Sequence, residues 1–384
     1  MRKIIMFTGG NETQEFFTLQ LAKAFEEMGH AVFLYRLDRG NEDLHALGKF
    51  IEKKNTVMIS FNFHGLDKEE PFYVDGMYFW DFFQIPCYNI VLDHPFYYHK
   101  YLENPPSLYV HLSIDLGHEK YMKRFFPDIK LGPFLPLAGT KILNKPYEER
   151  TTDIVFTGNY TPPKRFEKYI TRINKDYTEF YYGIIDDLIA HPALNMDEAF
   201  EKHLIREMPD LSDNDLKLCM SHMIFIDLYV RNYFRGLIVR TLADNGFPVH
   251  IYGDGWDLLE CKKTDNIING KSKTSLECLQ AISDSKISLN VMPWFKNGGH
   301  DRIMNSMLNG ALSLSDDSIW LRENFVDKKE IVYYSLSHID QLPALADDLL
   351  SNPDKLIRIA QGGYQKAKKF HTWACRAKVL SKII

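Results

Sequence analysis

Cysteine is scarce in this chain and follows no pattern. The 384 residues hold five, Cys87, Cys219, Cys261, Cys278 and Cys375, an odd number without a C-x-x-C pair, which excludes a disulfide scaffold and suits a reducing compartment. Long apolar runs are missing too. None approaches the ~18 residues that span a bilayer, and the opening Met-Arg-Lys-Ile-Ile-Met-Phe-Thr-Gly-Gly breaks at a glycine turn too early for an export signal, so a cytoplasmic protein is expected. Charge of one sign is absent as well: 46 Lys and Arg against 51 Asp and Glu leave −5, with no chain-wide attraction for nucleic acid or an anionic membrane. The partner expected is a small molecule or a protein. There is no G-x-G-x-x-G, no G-x-x-x-x-G-K-[ST], no H-E-x-x-H and no G-x-S-x-G, which removes the fingerprints of dinucleotide binding, of P-loops, of zinc peptidases and of acyl-transfer hydrolases. The single D-x-D, Asp213-Asn214-Asp215, lies in a polar stretch after Pro209, where helix capping accounts for it better than a metal.

What is present describes an ordinary globular chain, 45% apolar and 25% charged, with length enough for two domains of roughly 150 residues each. The first 60 residues alternate strand and helix signals: an apolar run at 3–8, a glycine turn, helical spacing over 13–28, a strand at 31–37, a helix from Asn41 to 53 and a strand at 56–63. Strands at 86–92, 107–114 and 131–137 continue the series, so residues 1–145 read as one doubly wound parallel-sheet domain. A polar stretch at 141–152 reads as a linker, and 153–158 restarts the pattern. Residues 163–245 read as a helical insert broken at His191-Pro192 and Pro209, after which strands resume at 248–252, 287–292 and 311–315. The second domain spans 146–360. Two α/β domains in tandem imply a cleft, with ligands held beyond the carboxyl ends of the strands.

Those ends supply the candidate residues. Gly9, Gly10 and Asn11 follow the first strand, where backbone amides at a helix start suit an acceptor or a phosphate as well as they suit a tight turn. Asp93-His94-Pro95 ends the fourth strand, an acid and an imidazole fit to orient or deprotonate a hydroxyl; Ser113, Asp115 and His118 pose the same choice more weakly. In the second domain Gly158-Asn159 is followed by Lys164 and Arg165, cations suited to a diphosphate, and Tyr252-Gly253 offers glycine amides beside an aromatic ring. The densest stretch runs from Met292 through Asn297, Gly299, His300, Asp301 and Arg302 to Asn305, with Asp316 after the next strand. There a helix start and a guanidinium would meet an anion together.

Leu92-Asp93-His94-Pro95-Phe96, Phe134-Leu135-Pro136, Tyr252-Gly253-Asp254-Gly255-Trp256, Gly299-His300-Asp301-Arg302-Ile303 with Asn309-Gly310-Ala311, and His371-Thr372-Trp373 span nearly the whole chain. In these residues the sequence resembles bacterial glycosyltransferases of the GT-B fold, in particular the CgeB-like, spore-protein-type group related to glycosyltransferase group 1. The resemblance implies two Rossmann-like domains facing a cleft, the first on the acceptor side and the second binding the nucleotide sugar, with a C-terminal helix in 361–384 packing back on the first. It implies a hexosyltransferase-type enzyme (EC 2.4) that moves a sugar from a nucleotide-diphosphate donor to an acceptor hydroxyl with no metal and no cofactor. Asp93, His94 and Arg302 are then the catalytic candidates. Gly158, Asn159, Lys164, Tyr252, Gly253, Met292, Asn297, Gly299, His300, Asp301, Asn305 and Asp316 become the donor-binding set. Related retaining enzymes carry two glutamates eight positions apart on the donor-side helix; Asn297 and Asn305 stand there here.

The acceptor stays open among protein, cell-surface glycan and small molecule. Two other functions stay open beside transfer: a nucleotide-sugar epimerase on the same fold, and an inactive partner of a glycosylation complex. Residues 355–384 carry eight Lys and Arg and no acid. That end is either a peripheral membrane contact or a solvated face whose Trp373, Ala374, Ala377, Val379 and Leu380 pack on the body.

Overall fold

The computed structural model describes residues 1–40, 42–142 and 145–384. Asn41, where a helix was expected to begin, and 143–144 of the expected linker lie outside the described residues. The chain divides into two compact units, 1–138 with 372–384, and 139–371.

Unit 1 holds a parallel sheet of β1 (Lys3–Thr8), β2 (Ala31–Arg36), β3 (Thr56–Phe61), β6 (Cys87–Val91), β7 (Tyr109–Ser113) and β8 (Lys130–Leu131), with a separate antiparallel hairpin of β4 (Tyr73–Val74) and β5 (Met77–Tyr78). Its order is β2-β1-β3-β6-β7-β8. Helices cover both faces of such a sheet, which is why its strands are apolar runs and not alternating ones: Ile4, Ile5, Met6 and Phe7 are all buried. The helix Glu12–Glu27 starts where the Asn11 side chain accepts from the N–H groups of Thr13 and Gln14, and the chain leaves it at Gly29 in the left-handed region. It packs Phe17, Leu21 and Phe25 inward.

Three sequence expectations change here. The strand expected over 131–137 is only Lys130–Leu131, because Pro133 and Pro136 have no N–H to give a ladder. The first unit ends at 138 and not at 145. Its returning segment begins at Thr372 and not at 361, since the helix Pro353–Phe370 packs inside unit 2, where a Cβ on Gly363 would lie 3.0 Å from Met307. The last helix, Trp373–Leu380, sets the Trp373 ring 5.1 Å from Phe17 and 6.0 Å from Phe61, and buries Ala377 and Leu380. Arg376, buried with them, donates from Nη2 to Leu137 O at 2.9 Å and from Nε to Pro136 O.

Unit 2 holds a second parallel sheet, ordered β11-β10-β9-β12-β13-β14, built from β9 (Thr152–Thr157), β10 (Val249–Tyr252), β11 (Ile267–Asn269), β12 (Ser285–Asn290), β13 (Leu312–Ser315) and β14 (Val332–Tyr333). The region expected to be a helical insert is the connection from β9 to β10. It contains helices Lys175–Ala190, Met196–Glu207, Asp213–Ser221 and Ile224–Asp244. Asp215 completes a capping box with Ser212, so the D-x-D serves a helix start. Among the described residues no helix is long and apolar enough to cross a membrane.

Candidate functional site

In an open α/β sheet the loops diverge where strand order reverses, and a crevice opens at the carboxyl ends of the two strands. In unit 2 that reversal lies between β9 and β12. β9 ends at Thr157, and Gly158 (φ +147°) turns the chain while its N–H donates to Tyr252 O at 2.8 Å. Gly253 lies against the same turn, and a Cβ there would come within 2.2 Å of Gly158 O. Only glycine fits.

β12 leads into the loop 291–300 and the helix Asp301–Leu308. This helix begins with buried Arg302, whose Cζ would sit 3.9 Å from a Cβ placed on Gly158 and lies 5.2 Å from the Phe156 ring. The helix Ile224–Asp244 brings two more guanidinia. Arg231 and Arg235, spaced i and i+4 and so on one helix face, lie 4.2 and 5.0 Å from the Trp294 ring centroid. Arg231 pairs with Asp227 at 2.7 Å, and Arg235 Nη1 donates to Asn159 O at 2.8 Å.

The three cations act on one another. Burial pushes Arg235 well below the ordinary arginine value, with the charges of Arg302 and Arg231 adding to the effect. Burial lowers Arg302 as well, Asp301 and Asp316 opposing. A guanidinium does not lose its proton in a protein, so these shifts express the cost of holding charged groups away from water, to which the mutual repulsion of the arginines adds. Arg235 Nε and Arg302 Nη1 are, moreover, buried donors without a hydrogen-bond partner among the described residues. Each costs about 1–3 kcal/mol while unmet. An anion at the Gly158 turn would satisfy both the charge and the donors.

Asp316, at the end of β13, accepts from Met292 N–H at 2.9 and 3.1 Å and is pushed up to about 7 by burial, Lys296 opposing. His300 stands at the start of the helix Asp301–Leu308, and burial draws it down to about 4. His300, Asp301 and Asn305 form a hydrogen-bonded chain ending on Arg302. Asn159 Oδ1 accepts from Asp254 N–H at 2.9 Å, the Tyr252 ring packs against Gly270, and Gly299 is pressed against Trp320 and Leu321. Asn297 is half-buried in the loop before the helix, and Lys164 is exposed on the short helix Pro163–Phe166, as is Arg165. Gly158, Asn159, Met292, His300, Asp301, Arg302, Asn305 and Asp316 therefore come together. Arg231 and Arg235 were missed, because their helix was read as an insert. The available signal was a pair of arginines i and i+4 in a stretch whose other positions are mostly apolar.

In unit 1 the order reverses between β1 and β3. Gly9, at φ +79°, donates its N–H to Glu15 Oε2 at 2.9 Å, and Asn11 is spent on its cap, so this turn serves the helix start. A Cβ on Gly10 would meet His64 at 2.8 Å. After β3, Asn62 and Phe63 take φ of +45° and +66°, a conformation costly to side-chain-bearing residues and concentrated at functional sites. It turns Asn62 toward the end of β6, where Oδ1 accepts from Leu92 N–H at 2.7 Å and Nδ2 donates to Asp93 Oδ2 at 3.2 Å. The Tyr98 hydroxyl donates to the same oxygen at 3.0 Å. His94 caps the short helix Pro95–Tyr98 and sits edge-on to His118 and Tyr121, both at 4.7 Å. Asp115 caps the helix Leu116–Phe125 through Gly117 N–H, and His118 is buried and held well below its ordinary value by that burial. Among the described residues no three His, Cys, Asp or Glu are grouped to hold a metal.

Comparison with known proteins follows this geometry. Three solved structures share the fold over the length of the chain: the Anabaena protein Alr3699/HepE in complex with UDP-glucose, AviGT4, a glycosyltransferase of avilamycin A biosynthesis, and a mutant of the T4 phage BGT in complex with UDP-glucose. Each match covers all of this chain; the shares of the other chains are 99%, 96% and 98%, the identities 9%, 10% and 11%, and the TM-scores 0.54, 0.53 and 0.52. The fold is GT-B. The "Glycosyl transferase-like" family model matches residues 233–382, which takes in Arg235, the helix Asp301–Leu308 and most of the unit 2 sheet of this GT-B chain. No curated protein matches the chain.

Proposed function

We propose that this protein is a glycosyltransferase that moves a sugar from a nucleoside-diphosphate donor to an acceptor hydroxyl. The observation that carries the proposal is the cluster of Arg231, Arg235 and Arg302 at the Gly158 turn, with two buried donors unmet. Breaking the anomeric C–O bond leaves negative charge on the departing diphosphate. Preorganised cations lower that barrier most when they need no rearrangement, and three guanidinia supply without a metal the charge that a divalent ion would supply. A UDP-glucose complex of two of the structural neighbours supports the donor class.

The acceptor oxygen forms the new bond to the anomeric carbon and gives up its proton. In unit 1 we assign that proton to Asp93, whose Oδ2 is oriented by Asn62 and Tyr98, with His94 beside it. The GT-B chain as a whole is similar to the CgeB-like group in the residues named above, and a cytoplasmic, bacterial enzyme is part of the same reading. A thermal-shift screen with UDP, GDP, dTDP, CMP, ADP and their sugars tests it, because a ligand of the folded state raises its melting temperature by mass action. Stabilisation by one nucleotide series, lost in Arg302→Ala, is the expected result. No response to any of them overturns the proposal; binding and donor turnover without an acceptor would replace it with an epimerase.

A further inference from the structure

The chain of hydrogen bonds that ends on Arg302 admits one proton assignment. Arg302 Nη2 stands 3.0 Å from His300 Nε2, and a guanidinium has no lone pair to offer, so Nε2 accepts. The ring's proton is then on Nδ1, which lies 2.6 Å from Asp301 Oδ1, the length of a charge-assisted bond. The Arg302 backbone N–H, 3.3 Å from the same Nδ1, would need the other tautomer; the shorter contact and the arginine donor both select Nδ1–H. The chain continues beyond the carboxylate. Asp301 Oδ2 accepts from Asn305 Nδ2 at 2.9 Å, and Asn305 Oδ1 accepts from Thr140 N–H at 2.8 Å. Asp301, Arg302 and Asn305 are all buried.

Because a guanidinium is planar, holding one of its nitrogens sets the direction of the others. The chain spends Nη2 and leaves Nη1 buried and unpartnered among the described residues. Asp301 has both oxygens and Asn305 its oxygen and one amide hydrogen engaged in this chain, which ties both side chains to the placement of Arg302.

We propose that Asp301 and His300 are positioning residues: they hold Nη2 of Arg302 so that Nη1 is aimed at an oxygen of the donor's diphosphate. The inference rests on the anion site proposed above and revises the roles of His300, Asp301 and Asn305 from donor contacts to supports.

Asp301→Asn tests it with almost no change in shape. An amide in place of the carboxylate must turn either its oxygen to His300, which sets its NH2 against the NH2 of Asn305, or its NH2 to His300, which forces the proton to Nε2 against Arg302. Either orientation breaks a link. The measurement is the ratio of dissociation constants for each nucleoside monophosphate and its diphosphate (UMP and UDP, GMP and GDP, dTMP and dTDP, AMP and ADP) by titration calorimetry, in wild type, Asp301→Asn, His300→Gln and Arg302→Ala. General damage to the fold weakens both members of a pair alike, whereas loss of aim weakens only the diphosphate. The expected result is a fall in the diphosphate preference of about five- to tenfold in Asp301→Asn and His300→Gln, and a larger fall in Arg302→Ala. A wild-type preference in Asp301→Asn or His300→Gln together with a loss in Arg302→Ala overturns the positioning role and leaves the anion site standing. Equal ratios in all four proteins overturn the anion site and the positioning role with it.

Discussion

Each unit carries six parallel strands whose order reverses once, yet the two reversals hold different chemistry. At the β1–β3 reversal of unit 1 the turn is filled by its own groups: Gly9 bonds Glu15, Gly10 packs on His64, and Asn62 reaches across to orient Asp93. At the β9–β12 reversal of unit 2 the groups are only partly spent, with Arg235 Nε and Arg302 Nη1 buried and without a hydrogen-bond partner among the described residues. The sheet provides an address and the loops decide what is delivered there. Unit 1 ends in a prepared acid with its hydrogen bonds made, as a proton acceptor needs. Unit 2 ends in clustered guanidinia with two buried donors unmet among the described residues, as the proposed diphosphate site needs.

The largest expected effect separates these two roles. Asp93→Asn keeps both hydrogen-bond donors to position 93 supplied and removes the base, so transfer should fall by about 10²- to 10⁴-fold while nucleotide affinity, read by calorimetry, stays within twofold. Equal loss of binding and turnover would dissolve the division of labour. Arg302→Ala should weaken diphosphate binding by roughly 10²-fold and lower turnover with it, with Arg235→Ala weaker in the same direction. Circular dichroism should be unchanged in both.

A smaller effect concerns the piece of unit 1 that arrives last in sequence. Trp373 closes the Phe17–Phe61 pocket, and Trp373→Ala should cost about 3 kcal/mol, a fall of roughly 6 to 12 °C in the melting temperature of unit 1. If unit 2 melts separately in calorimetry, its transition should not move. A shift in the unit 2 transition alone would contradict the assignment of 372–384 to unit 1.

How much of this was legible follows from what each signal depends on. The strands at 3–8, 31–36 and 56–61 were read because strands buried on both faces are apolar runs, and the glycines at 158 and 253 because a tight turn needs them. The strand expected over 131–137 was overread, since apolar content said strand and the two prolines said otherwise. Arg302 was legible from its neighbours, His300, Asp301 and two glycines. Arg231 and Arg235 were not, because their meaning comes from Trp294 and Arg302, which lie about sixty residues away and are brought close only by the fold. Asn62 was hidden for a related reason: its role depends on a left-handed backbone that nothing in the string Phe61-Asn62-Phe63 announces. The boundary at 372 depends on which sheet a helix packs against, and composition does not encode that.

The subtlest effect concerns Arg302 and the carboxylate that acts on it from the end of β13. Asp316 lies among the groups that act on Arg302, and burial lifts its carboxyl to about 7. Near neutral pH it is therefore about half protonated, which limits the counter-charge it offers the guanidinium cluster. The sign of the stability effect follows from the two pKa values. Between the ordinary carboxylate value of 3.8 and about 7 the folded chain holds a proton that the unfolded chain has released, so this group makes folding less favourable as pH rises through that window and contributes no further slope above it. Asp316→Asn cannot ionise and still accepts from Met292 N–H through its amide oxygen. Its melting temperature relative to wild type should climb between pH 4 and pH 7 and level off beyond, a change on the order of 4 kcal/mol or some 8 to 16 °C. A difference that stays constant across that range would mean that Asp316 is ionised throughout, and that the cluster of Arg231, Arg235 and Arg302 already has an internal counter-charge.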